Sequence, residues 1–217
     1  MTLRTLLCLI ICATPLLGAE FWDTKEPSEW TAAEVETLLK DSPWAITKTI
    51  ARGSILGPKR TAPRRRPRIG NSPKTITFTV RWLSAEPARE AFKRQLSMQG
   101  RGGNQTRQVG RILGDAESHY IVMVSDMPAN ILTQTDATEP QLQSGSLLKL
   151  KGKFEMEPSR VEMRRGGGEG SMIFYFPRRD DLSVEDKKIE FHMKIGSTTI
   201  KREFKPSDMI ADGELAL

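Results

Sequence analysis

Two histidines, His119 and His192, are the only imidazoles in a chain of 217 residues. An imidazole acts as a general base when a carboxylate orients it and a substrate proton lies about 3 Å away. Asp126 and Glu190 are carboxylates that these rings could meet in space. A secreted hydrolase using His119 or His192 with a carboxylate is therefore one reading of the chain. The other reading assigns no catalytic residue. The sequence carries no nucleophile elbow, no His-Glu-x-x-His and no phosphate-loop pattern. Gly100-Arg-Gly-Gly103 lacks the strand-to-helix setting that a phosphate cradle requires, so it reads as a loop. No cofactor is expected.

Three further constellations are chemically suggestive. Asp180-Asp181 with Glu185-Asp186 supplies oxygens, but not at the alternating spacing around a central glycine that a calcium loop uses. It reads as a solvated turn, and no metal is expected. Trp22, Trp30 and Trp44 could stack on a sugar or another flat ligand. Packing is the favoured alternative, because indoles bury large areas and dominate cores. Arg64, Arg65, Arg66 and Arg68 lie in a stretch, from Asp41 to Glu86, with no acidic residue between those two. Guanidinium groups this dense attract phosphate and carboxylate polymers, although charge runs are more often simply solvated. Asn104-Gln-Thr106 matches the acceptor pattern for glycosylation, which matters only in a eukaryotic secretory route.

The elements that would position these residues can be read from periodicity. Thr31-Ala-Ala-Glu34 is a capping box, and Val35, Leu38 and Leu39 give the apolar face of a helix over about Ala32–Lys40. Ser42-Pro43 stops it. Ala45 to Leu56 reads as a strand. The segment 57–73 reads as an exposed Arg/Pro-rich loop. Thr75 to Leu83 alternates cleanly, with Ile76, Phe78, Val80 and Trp82 on one face and Thr77, Thr79 and Arg81 on the other. Ser84 is placed to cap a second helix reaching about Met98, with Ala88, Ala91, Phe92 and Leu96 inward. Ser118 to Ser125 is apolar on both faces, which predicts a strand covered on both sides. The segment from Asp126 to Ser146 is turn-rich, with a short helix near Ile131. Gly166-Gly-Gly-Glu-Gly170 reads as a flexible connection.

The last hairpin is the most specific prediction. Ile189, Phe191, Met193 and Ile195 alternate with charged or polar residues, and Gly196-Ser197 suits a type II′ turn. That turn pairs Ile195 with Thr198, Met193 with Ile200, Phe191 with Arg202 and Ile189 with Phe204. The fold class expected is α+β, mainly antiparallel β, with a sandwich-like C-terminal half, an N-terminal helix and one mid-chain helix.

Residues 1–19 predict the compartment. Arg4 precedes an apolar run from Leu6 to Leu17, and Leu-Gly-Ala at 17–19 resembles a cleavage site. The run is shorter than the roughly 20 apolar residues of a spanning helix. A cleaved signal peptide is expected, with no transmembrane anchor afterwards. Lipidation at Cys8 or Cys12 is disfavoured, because Leu7 and Ile11 stand where a small residue belongs. Both cysteines fall inside this segment, so the mature chain would rely on its core and not on disulfides. The remainder divides into a Trp-rich helical segment (20–56), the basic loop (57–73), a β-rich core (74–205) and a tail (206–217). The formal charge of +6 falls by one with the loss of Arg4.

Trp30 with Ser42-Pro-Trp-Ala45, Arg81-Trp82-Leu-Ser-Ala85, Phe176-Pro-Arg178 and Glu185-Asp-Lys187 form a set of short motifs. Phe204, Asp208-Met209 and Asp212-Gly213 close it. Together they resemble a family of uncharacterised exported bacterial proteins with no assigned activity. The resemblance implies a periplasmic or extracellular location and carries over no site residue. The expected function is a non-enzymatic binding or scaffolding module of the cell envelope. Its partners would be anionic lipid, lipopolysaccharide or cell-wall polymer, reached through the Arg64–Arg68 loop. Nucleic acid is not expected.

Overall fold

The computed structural model describes residues 20–57, 74–100, 110–135, 137–179 and 182–217. The signal segment, Arg64–Arg68, Asn104-Gln-Thr106 and Asp180-Asp181 lie outside the described residues. The fold is α+β with mainly antiparallel sheets.

One sheet has six strands in the order β1 (Asp41–Ser42), β2 (Ala45–Ala51), β3 (Thr75–Trp82), β4 (His119–Pro128), β8 (Glu169–Pro177) and β7 (Arg160–Gly166). The other has four: β10 (Thr198–Phe204), β9 (Ile189–Ile195), β5 (Ser146–Leu150) and β6 (Phe154–Met156). They stack through one apolar core, with Phe174 against Phe191 at 5.2 Å and Trp82 against Phe204 at 5.1 Å between ring centroids. The sandwich draws β2 and β3 from the N-terminal half, so it is not confined to the C-terminal half.

Alternation decides the faces. Ile76, Phe78, Val80 and Trp82 on β3, with Tyr120, Val122 and Val124 on β4, point into the inter-sheet core. Ile121, Met123, Ile173 and Tyr175 form a second core on the other face. There Ile112, Leu113 and Ala116 cover them, with Phe92 and Leu96 of the mid-chain helix packed alongside. β4 and β8 are thus buried on both faces, as a strand without polar alternation requires.

The helices follow their end signals with one exception. After a single turn, α1 (Phe21–Thr24), comes α2 (Ala32–Lys40), which has the full capping box: Thr31 and Glu34 each bond the other's backbone N–H. It packs on α4 (Glu86–Met98). The cap expected from Ser84 is not made: the cap residue is Ala85, and Ser84 Oγ accepts from the Ile121 N–H at 3.1 Å. The strand expected to reach Leu56 stops at Ala51, where α3 (Arg52–Leu56) begins. Two short helices, α5 (Ala129–Gln134) and α6 (Glu139–Ser144), fill the stretch before β5.

Two hairpins of the second half turn tightly on two residues. β9 and β10 pair in the predicted register throughout, and Gly196 has φ +56°. The glycine run expected to be a flexible connection is a two-residue turn. Gly166 pairs with Glu169, and Gly167 and Gly168 both have positive φ, the signature of a type I′ hairpin. Residues 206–217 form a helical turn and a small hairpin, β11 (Ile210–Ala211) with β12 (Glu214–Leu215), and bury Met209 in the main core.

Candidate functional site

Three segments distant in sequence meet at the Trp82 end of the sandwich and enclose a cleft of about 730 Å³. They are the N-terminal strap from Trp22 to Trp30, the first turns of α4, and residues 211–217. Polar contacts fix the strap and the C-terminal residues. Asp23 Oδ1 accepts from the Asp212 N–H at 2.9 Å, joining strap to C-terminal hairpin. Lys25 is ion-paired with Glu34 of α2. Arg178 donates from Nε to the Ala116 carbonyl at 2.9 Å and also to the Leu217 backbone oxygen, with its guanidinium 5.0 Å from the Tyr120 ring centroid.

The tryptophans belong to this corner. Trp44 is fully buried, and its Nε1 donates to the Ala216 carbonyl at 2.8 Å. Trp30 is also buried, with Nε1 bonded to the Lys25 carbonyl at 3.1 Å. Their rings meet neighbours edge-on: Phe21 with Trp30 at 5.8 Å and Trp22 with Trp44 at 5.4 Å. Of the three, only Trp22 keeps appreciable exposed surface. Its Nε1 is buried without a hydrogen-bond partner. It is the aromatic residue here that a ligand could reach.

The cleft's charge is lopsided. Its lining holds seven acidic side chains against three basic ones, Lys25, Arg89 and Arg178. Such a rim favours cationic or neutral polar ligands and opposes anions. The clue the sequence offered was the tryptophans alone. Asp212, Arg178 and Leu217 enter only by tertiary convergence.

The histidines are elsewhere. Neither lines the cleft. His119 Nδ1 is hydrogen-bonded to Ser118 Oγ at 2.8 Å, and its ring meets Tyr175 edge-on. Asp126 lies seven residues along the same strand, roughly 20 Å away at strand rise, and is engaged by Arg81. His192 does meet Glu190, at 3.0 Å, on the outer face of β9. Lys188 and then His192 hold the Glu190 carboxyl down at about 2. Among the described residues no group of three or more His, Cys, Asp or Glu could hold a metal ion. Asp186, half of the acidic pair considered for calcium, instead accepts from the Ser183 N–H at 2.8 Å and pairs with Lys153 at 2.9 Å.

A buried ionic group lies on the polar face of β3. Arg81 is 4 % exposed. It donates to the Leu39 carbonyl at the end of α2, to Ser125 Oγ, and to Asp126 Oδ2 at 3.2 Å. Asp126 sits in a bulge of β4 with φ +63°. Since Arg81 ties a helix end to a strand irregularity, the network positions α2 and β4.

No helix among the described residues is long and apolar enough to cross a membrane. Comparison of the chain with protein-family models, with curated proteins and with solved structures finds no match.

Proposed function

We propose that this chain is a non-enzymatic binding or scaffolding module exported to the cell envelope, and that its ligand sits in the cleft beside Trp22. The cleft carries the reading: it has the volume of a small-molecule or short-oligomer site, and segments 189 residues apart in sequence are bonded together to form it. Export rests on the apolar run after Arg4, on both cysteines lying within residues 1–19, and on the likeness to exported bacterial proteins. Contact with anionic lipid, lipopolysaccharide or cell-wall polymer belongs to Arg64, Arg65, Arg66 and Arg68, because the cleft rim has the opposite sign.

The test is a thermal-shift and calorimetric screen against soluble cell-wall fragments, cationic oligomers and anionic vesicles. Trp22→Ala and Asp212→Ala should weaken a cleft ligand. Changing the four loop arginines to Gln should weaken only vesicle or polymer binding. Ligands that bind both cleft variants as they bind wild type remove the cleft from the function.

One observation favours the hydrolase alternative, the 3.0 Å contact between His192 and Glu190. A hydrolytic activity that appears in a substrate screen and disappears in His192→Ala would replace the binding reading.

A further inference from the structure

Lys48 and Arg202 break the apolar pattern of the sandwich at the same place from opposite sheets. Lys48 is paired with Phe78 on β3, in the row of Ile46 and Ile50 that faces the inter-sheet core. Arg202 is paired with Phe191 on β9, in the row of Ile200 and Phe204 that faces it from the other side. β10 is the edge strand of its sheet, and Lys48 Nζ crosses the seam to the Lys201 carbonyl at 2.8 Å.

These are core-facing positions holding two like charges. Arg202 lays its guanidinium 4.9 Å from the Phe204 ring centroid, and its Nε is buried without a hydrogen-bond partner. Among the described residues neither cation forms an ion pair. The nearest carboxylate in sequence, Glu203, alternates to the outer face and pairs with Lys188 at 2.6 Å. Burial lowers the pKa of both groups, and Arg202 lowers that of Lys48 further, with Glu203 opposing. A buried donor left unmade beside a second cation is costly unless something occupies it.

We propose that Lys48 and Arg202 together bind a phosphate group at the seam between β2 and β10, supplied either as free phosphate or as a phospholipid headgroup. A phosphate has enough charge to face two cations at once. Its several oxygens can take the planar guanidinium donors and the ammonium together, whereas a carboxylate offers a single charge. Neither residue lines the acid-rimmed cleft, so the inference stands without the function proposed above.

The experiment compares wild type with Lys48→Met and Arg202→Met, all of identical length. Melting is followed in phosphate and in chloride at equal ionic strength, and inorganic phosphate is titrated calorimetrically. Sedimentation with phosphatidylglycerol and phosphatidylcholine vesicles separates the two sources. Wild type should be stabilised by phosphate over chloride or should prefer phosphatidylglycerol. Either substitution should weaken that response at least tenfold in affinity. A response to vesicles alone assigns the headgroup, and one to inorganic phosphate alone assigns the free ion. The proposal is overturned if wild type shows neither response. It is also overturned if both variants respond as wild type does, including the case where they melt lower by equal amounts in both buffers, which would make the pair structural.

Discussion

Arg81 Nη2 donates to Asp126 Oδ2 at 3.2 Å, across the bulge that β4 makes beside β3. The guanidinium is almost wholly buried, while the Asp126 side chain is 35 % exposed. Burial lowers the arginine's pKa and Asp126 raises it again. Removing the cation would strand the Leu39 carbonyl, the Ser125 hydroxyl and the carboxylate together. Arg81→Met should therefore destabilise the fold by about 3 kcal/mol, the low end for breaking a buried pair because Asp126 can rehydrate. Urea denaturation measures it. A loss below about 1 kcal/mol would mean that α2 and the bulge hold without this residue.

Gly196 answers two demands at once. Its φ is +56°, and a Cβ there would stand 2.3 Å from the Ile55 carbonyl oxygen. Gly196→Ala should cost about 2 kcal/mol or more, from backbone strain and from displacing α3. Gly53, in α3 itself, has nothing within 4 Å of such a Cβ. Gly53→Ala should be neutral or stabilising by about 0.5 kcal/mol. Paired denaturation curves test both. Equal losses would show that the contact with Ile55 is not the cause.

What the sequence made legible follows from locality. The β9–β10 register needed only alternation and a two-residue turn, and every predicted pair forms. The capping box of α2 needed only Thr31 and Glu34. The misreadings have physical sources of the same kind. The Gly-rich run at 166–170 was ambiguous because glycine suits both a loose chain and a type I′ turn, and pairing partners decide between them. Ser84 had a cap's chemistry, but the Ile121 N–H competed for its oxygen. The burial of Arg81 is a different case: alternation placed it with the threonines opposite Trp82, and only the Leu39 carbonyl at the end of α2 shows what covers it. Of the cleft only the tryptophans were legible, since Asp23 and Asp212 are 189 residues apart and meet only in the tertiary structure.

The Tyr175 phenol is buried between the β8 face and its covering residues, and it donates to Glu162 Oε1 at 3.1 Å. Burial first, then Glu162, pushes it up from 10.0 to about 12. A raised pKa contributes stability that is present below 10.0 and lost as pH rises through 12. Ultraviolet difference titration of the folded chain should show a phenol that resists ionisation until the fold fails. Tyr175→Phe should remove this late transition. If the late transition persists in Tyr175→Phe, the assignment is wrong.

Acid should find the opposite sign. Lys25, with the Thr31 backbone N–H and hydroxyl, holds the Glu34 carboxyl down from 4.5 to about 2. Lys188 and His192 do the same for Glu190. A depressed pKa contributes stability present above 4.5 and lost as pH falls toward 2. Both carboxylates are exposed enough for salt to screen the charged part of the effect, so the loss should shrink at high ionic strength. The two sites differ in what remains. At α2 the amide oxygen of Glu34→Gln can still accept from Thr31, but the charge paired with Lys25 is gone, so that variant should lose the acid slope together with the neutral-pH stability that the charge supplied. In Glu190→Gln the Lys188 and His192 contacts lose their charge partner, but Lys188 retains Glu203 at 2.6 Å. Its neutral-pH loss should therefore be the smaller of the two. Denaturation midpoints between pH 7 and pH 2 should therefore converge for wild type and the double variant as acid is added. A wild-type curve that runs parallel to the double variant over the whole range would leave both carboxylates without this role.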